Sequence, residues 1–160
     1  MRDAITMALK LFVFVFLLAI CIAMLDLRLF QPMRTPPCDP SKLESGYICL
    51  SQIVKTYPNK VIWIDARNQD AYERHTVMKG EVYPIRPGAD NYDELIAEAM
   101  QALMEADSKG YCIVVFCGRD CDASVLVANE LKKSDYGIKA PIYILHGGWD
   151  ELKKEPSLVQ

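Results

Sequence analysis

The chain lacks an excess of positive charge: 18 Lys and Arg face 21 Asp and Glu, for a net charge of −3. A nucleic-acid grip, whose usual footprint is a basic stripe, is thereby excluded. The sequence has no internal repeat and no low-complexity tract. Its six cysteines are too few and too scattered to make a small disulfide scaffold. With 51% apolar and 24% charged residues, wholesale disorder is excluded as well. What remains is one domain with a core of its own, since 160 residues leave little room for a second.

The apolar residues are unevenly spread. Leu11 to Leu25 carries no charge. A helix over that run covers roughly 22 Å, less than the roughly 30 Å hydrocarbon core of a bilayer. Counting back to Ala4 adds only one charge, Lys10, whose stem can snorkel. Residues 4–25 are therefore expected to be a single-pass transmembrane anchor. The rival reading is a cleaved signal, but Asp26-Leu27-Arg28-Leu29-Phe30 offers no small-x-small cleavage site. Arg2, Lys10 and the amino terminus precede the run, and Arg28 and Arg34 follow it. That balance leans toward an inside amino terminus and a domain on the extracytoplasmic, periplasmic side.

Residues 26–44 read as a Pro-rich tether: Gln31 to Pro40 holds four prolines, which deny it helix and central strand. Beyond it, strand and helix patterns alternate. Val61-Ile62-Trp63-Ile64 and Tyr111 to Phe116 are unbroken apolar runs, as strands buried on both faces require. Val82 to Ile85 and Pro141 to Leu145 read as further strands, the latter broken by Gly147-Gly148. Helices are expected from Ser51 to Thr56, Asn68 to Arg74, Asn91 to Ala106 and Ala123 to Asp135. The third has a stripe through Tyr92, Leu95, Ile96, Ala99, Met100 and Leu103, and Asn91 with Glu94 suggests a capping box. Met100 to Met104 is expected to face the core. The pattern implies an α/β fold, a mainly parallel central sheet with helices on both faces.

Ligands of such sheets bind outside the carboxyl ends of the strands. Cys117 stands there, between an apolar strand and a helix start. Loop N–H groups and the helix dipole are expected to favour its thiolate, the nucleophilic form. Cys112, on the strand itself, reads as inert packing. Trp63 and Trp149 read as packing too, not as stacking platforms.

Ile62-Trp63-Ile64-Asp65-Ala66-Arg67, Tyr72-Glu73-Arg74-His75 with Gly80, Val114-Val115-Phe116-Cys117, and Tyr143 to Trp149 follow one another in an order that resembles a rhodanese-like sulfurtransferase domain. The likeness spans residues 45–154, leaving 155–160 as a tail. It implies a persulfide on Cys117, with Gly118, Arg119, Asp120, Cys121, Asp122, Ala123 and Ser124 around the substrate. It also implies structural roles for Asp65, Arg67, His75, Gly147 and Gly148. The partners would be a small sulfur donor and a thiol acceptor; no cofactor is expected, and no protein partner follows.

The chain departs from the family in places. Arg74 stands where the family usually has glycine, and Asp120 and Asp122 replace the glycine and arginine of Cys-x-x-Gly-x-Arg. Both aspartates oppose ionisation of the thiol and repel thiosulfate. The residue six after Cys117 is Ala123, so the arginine of the related phosphatases is missing. Two readings stand for Cys121: resolving a modified Cys117, or packing at the helix start. Two stand for His146: orienting or deprotonating the thiol, or a solvated strand end. A zinc site from Cys117, Cys121 and His146 lacks a fourth ligand, so no metal is expected. Cys38 and Cys49 are expected to bridge in an oxidising compartment. The functional alternatives to sulfur transfer are a thiol-disulfide redox protein using Cys117 and Cys121, and a non-catalytic binding module.

Overall fold

The structure, a computed structural model, describes residues 15–16, 37–77, 79–118 and 121–159. The expected anchor, residues 4–25, lies outside the described residues except for Val15 and Phe16, which are helical and exposed. Tether residues 26–36 lie outside them too. Among the described residues, no helix is long and apolar enough to cross a membrane.

Cys38 to Gln160 makes one compact unit. Its strands are β1 (Tyr47–Ile48), β2 (Val61–Asp65), β3 (Glu81–Pro84), β4 (Cys112–Phe116) and β5 (Ile142–Leu145). Its helices are α1 (Leu50–Thr56), α2 (Gln69–Arg74), α3 (Tyr92–Lys109), α4 (Ala123–Leu131) and α5 (Gly148–Leu152). The sheet order is β1-β5-β4-β2-β3 and every neighbouring pair is parallel. Every strand's carboxyl end therefore opens at one edge.

Residues of β2 and β4 are all buried, and they alternate between two cores. Ile62, Ile64, Ile113 and Val115 meet Ile96 and Leu103 of α3 and Val127 and Leu131 of α4 on one face. Val61, Trp63, Val114 and Phe116 meet Ile53 of α1 and Leu152 of α5 on the other. The period-2 side-chain alternation of a strand sends successive residues to opposite layers, so an unbroken apolar run is what a doubly covered strand needs. Each fully buried Ile, Leu or Phe contributes about 1.5–3 kcal/mol. Trp63 closes its layer edge-on to Phe116 and donates its indole N–H to the Lys79 carbonyl at 3.0 Å. Gly80 must be glycine: at φ +99°, a Cβ would lie 2.8 Å from the Val61 carbonyl oxygen.

Several local expectations are corrected. Asn91 precedes α3 at φ −102°, ψ 29°, without the extended geometry of a capping residue, and its side chain makes no capping bond. Met104 falls off the stripe formed by Leu95, Ala99, Ala102, Leu103 and Ala106, and is exposed. α4 stops at Leu131, and a separate 3-10 turn, Ser134–Tyr136, follows. Gly147-Gly148 ends β5 but also opens α5. A 3-10 turn at Pro40–Lys42, capped by Asp39, sits within the stretch expected to be extended. Cys38 and Cys49 are joined as a disulfide with Cα atoms 5.7 Å apart, which ties this stretch to the start of α1.

Candidate active site

At the end of β2, Asp65 and Arg67 are buried together. A charge taken out of water must be paired and hydrogen-bonded, and here it is. The Arg67 guanidinium donates from Nε to Asp65 Oδ1 at 2.9 Å and from Nη2 to Oδ2 at 2.6 Å. Nη2 also donates to the His75 carbonyl at 2.6 Å, and the Arg67 backbone N–H to Asp65 Oδ1 at 3.0 Å. The guanidinium carbon stands 3.7 Å from the Trp149 ring centre, a close cation–π contact, and Trp149 stacks in turn on Phe116. Trp149 is thus a stacking platform for Arg67, contrary to the packing-only expectation. His75 braces the loop through its carbonyl; its imidazole is exposed and lines the cleft described below.

At the end of β4, Cys117 is held from behind. Its carbonyl accepts the Trp149 N–H at 2.8 Å. Gly148, at φ +52°, lies so close that a Cβ would be 2.3 Å from that carbonyl oxygen. The double glycine therefore serves to bring α5 against the Cys117 backbone.

The thiol's surroundings differ from expectation. Cys117 is 3% exposed, and its Sγ donates to the Cys121 carbonyl at 2.7 Å. The Ser124 hydroxyl lies 3.3 Å from the same sulfur. Burial above all, and the Cys121 side chain next, push the thiol up to about 11, while Ser124's hydroxyl and backbone N–H pull the other way. The expected stabilisation of a thiolate by the loop is corrected: in this conformation a carbonyl faces the sulfur and the proton stays. Cys112, buried in β4, is pushed up to about 12 by burial, as inert packing requires.

Beside these strand ends opens a cleft of about 550 Å³. Ala66 to Asn68 from the β2 end, Arg86 and Pro87 from the β3 end, Gly118, Cys121 and Ala123 from the β4 end, and Trp149 line it, with Arg74 and His75 of the α2 end. The parallel topology explains the gathering of the strand-end residues, because the loops after β2, β3, β4 and β5 leave the same edge. Ser124 lies beneath, buried against Cys117. Asp122 is exposed, precedes α4 in helical conformation and makes no capping bond. Arg119 and Asp120 lie outside the described residues.

His146 is corrected as an auxiliary to the thiol. It is exposed and lines another hollow with Lys42, Glu44 and Tyr47, beside β1, where its N–H donates to the Ile48 carbonyl. Among the described residues, no group of His, Cys, Asp or Glu could hold a metal. Arg86 was missed. The strand-end rule that singled out Cys117 applies equally to β3, and an arginine just past Val82 to Ile85 was the available signal.

A five-stranded parallel sheet with a cysteine at the end of its central strand β4 defines an α/β protein of the strand-end-thiol kind. The rhodanese-like domain model matches residues 50–155, and the chain belongs to that family. Among solved structures it is similar to a Saccharomyces cerevisiae homolog of single-domain rhodanese and Cdc25 phosphatase catalytic domain. That pair is 13% identical, covers 71% of this chain and 85% of the other, and has a TM-score of 0.54. It is also similar to the BH2092 protein from Bacillus halodurans, 19% identical, covering 72% and 77%, at a TM-score of 0.48. The likeness to the Saccharomyces cerevisiae homolog bears on the fold alone. No curated protein gives a significant match.

Proposed function

We propose that the domain carries a sulfane sulfur as a persulfide on Cys117 and delivers it to a thiol acceptor. The observation that carries this reading is the placement of Cys117 at the end of β4, with Ser124's hydroxyl 3.3 Å from its sulfur, beside the arginine-bearing cleft. At pH 7 a thiol titrating near 11 is ionised in about one molecule in ten thousand. Attack therefore requires the Cys121 carbonyl to turn away from the sulfur, leaving the Ser124 donors to hold the anion. Phosphatase chemistry is not part of the proposal, because Ala123 occupies the position of the phosphate-binding arginine.

The test is intact mass of the full chain after exposure to thiosulfate, polysulfide or an organic persulfide. The expected product gains one sulfur atom, lost on addition of a thiol and absent in Cys117→Ser. If no donor produces it and Cys117 labels no faster than Cys112, the reading fails and a binding module replaces it. A redox pair is the second reading, favoured by Cys121 lining the cleft while its side chain acts on the Cys117 thiol. An internal Cys117–Cys121 disulfide trapped under mild oxidation would select it.

We further propose that residues 4–25 anchor the chain and place the domain in an oxidising, extracytoplasmic space. The uncharged run from Leu11 to Leu25 and the bridging distance of Cys38 and Cys49 support this. Carbonate-resistant membrane association, with both cysteines blocked to alkylation before reduction, is expected. Two free thiols in protein from its native compartment would remove the compartment assignment.

A further inference from the structure

The edge strand β1 holds two residues, Tyr47 and Ile48, where strands usually run to about five or six. The Gly46 carbonyl accepts the Ile144 N–H at 2.8 Å and the Ile48 carbonyl accepts the His146 N–H at 3.0 Å. So short a strand has little to hold it in place. The Cys38–Cys49 bridge supplies the hold by closing the chain around it, across a separation of 11 residues. Cys49 is 0% exposed and Cys38 is half-buried, so a thiol from outside meets Cys38 first.

What β1 braces leads to the site. Ile48 packs in one layer with Ile53 of α1, Leu145 of β5 and Leu152 of α5. β5 passes through Gly147-Gly148 into α5, where the Trp149 N–H donates to the Cys117 carbonyl at 2.8 Å. The Trp149 ring in turn carries the Arg67 guanidinium. The run from His146 to Trp149 is therefore bonded to β1 at one end and to Cys117 at the other.

We infer that the Cys38–Cys49 bridge is a thiol-sensitive clamp on the Cys117 site. Closed, it positions Cys117 through β1, β5 and α5; opened, it releases β1 and the hold on Cys117 loosens. The effect on turnover rests on the sulfur-transfer reading, whereas the clamp itself does not. Opening is an exchange with a dithiol. One thiolate of the dithiol attacks the Cys38 sulfur, the Cys38–Cys49 bond breaks, and its electron pair leaves on Cys49, which takes up a proton. The second thiolate attacks the dithiol sulfur now joined to Cys38, and Cys38 leaves and is protonated in turn. The dithiol ends as a disulfide, oxidised by two electrons, and the bridge ends as two thiols. Thiols are also the acceptors of the proposed transfer, so the clamp responds to the same class of molecule that the site serves.

Amide hydrogen exchange of the full chain, oxidised and then reduced by dithiothreitol, tests the clamp. The Ile144, His146 and Trp149 N–H groups should exchange about tenfold faster or more once the bridge is open. The Ile85 N–H, which donates to the Asp65 carbonyl at 3.1 Å, should not change, and reoxidation should restore the other three. Persulfide formation from polysulfide is then compared between the wild type and Cys38→Ser with Cys49→Ala. The variant's kcat should fall about fivefold or more with KM nearly unchanged, because the thiol is displaced while the β2 and β3 walls of the cleft stay. Faster exchange at Ile144 and His146 with Trp149 unmoved shows that the bridge holds β1 alone, and overturns the inference. Acceleration of all four amides together means general loosening and overturns it too, as does equal persulfide formation by variant and wild type. If the oxidised wild type forms no persulfide, the sulfur-transfer reading fails, and exchange at Trp149 still decides the clamp.

Discussion

The carboxyl ends of β2 and β4 lie side by side and are built in opposite ways. At the β2 end every polar group has its partner: Asp65 receives Arg67 on both oxygens, and Arg67 also reaches the His75 carbonyl and lies on Trp149. At the β4 end the Cys117 sulfur faces the Cys121 carbonyl, burial above all keeps it neutral, and two donors from Ser124 oppose that preference. The first end is a closed electrostatic unit and does structural work. The second holds its thiol protonated, with neighbours that act on it in opposite directions. Arg67, which the family likeness marks as structural, is spent on partners within the fold.

The comparison is broken most directly at Asp65. Asp65→Ala leaves the Arg67 guanidinium buried without its countercharge and should cost about 3–5 kcal/mol. Urea unfolding at pH 7 measures this; a loss below about 1 kcal/mol would mean that the β2 end is not a structural frame.

Gly148 joins the two ends. Gly148→Ala would set a Cβ 2.3 Å from backbone oxygen at φ +52°, and should cost about 3 kcal/mol through overlap and strain together. Gly147→Ala should cost less, because the Cβ there meets the flexible Glu151 side chain, which can swing aside. Equal losses at the two glycines would show that the close approach to Cys117 carries no cost of its own.

The β4 end was the more legible in sequence, for a physical reason. A strand covered on both faces has to be apolar throughout, so Cys112 to Phe116 announces itself, and the next residue must emerge at the sheet edge. Asp65 and Arg67 were legible through the family likeness. β1 was not, because two residues, Tyr47 and Ile48, show no periodicity. α5 was hidden by Gly147-Gly148, which read as a break. Arg86 was passed over although it stands just past an expected strand, because only the pairing of β3 beside β2 brings it to the cleft. The loop's effect on Cys117 was misjudged for a related reason: sequence shows a loop before a helix, but not whether N–H or C=O groups turn toward the sulfur.

Alkaline titration sharpens the contrast further. The Cys117 thiol rises from 9.0 to about 11 on folding, so the folded chain holds that proton more tightly than the unfolded chain. The resulting stability is fully present below pH 9 and is lost as pH climbs through about 11, up to about 2–3 kcal/mol in all. Cys112, raised to about 12, adds loss in the same direction. Urea midpoints between pH 8 and pH 11 should therefore fall more steeply in wild type than in Cys117→Ser. Parallel slopes would mean that Cys117 does not titrate as a buried thiol.

The smallest effect separates the two influences on the sulfur. Ser124 lies 3.3 Å from Cys117 Sγ and lowers its titration, whereas the Cys121 side chain raises it. Alkylation at fixed pH follows the thiolate fraction, since the thiolate is the nucleophile. Ser124→Ala removes a donor to the anion and should slow Cys117 alkylation by about three- to tenfold, a cost of about 1 kcal/mol. Cys121→Ser is expected to act with the opposite sign, because the side chain that raises the thiol is replaced. Ser124→Thr keeps the hydroxyl and should restore most of the rate if geometry permits the bond, which separates the loss of a donor from a loss of packing. Should Cys121→Ser slow the reaction as Ser124→Ala does, the Cys121 side chain does not hold the thiol protonated, and the opposition of neighbours that distinguishes the β4 end from the closed β2 end loses its chemical basis.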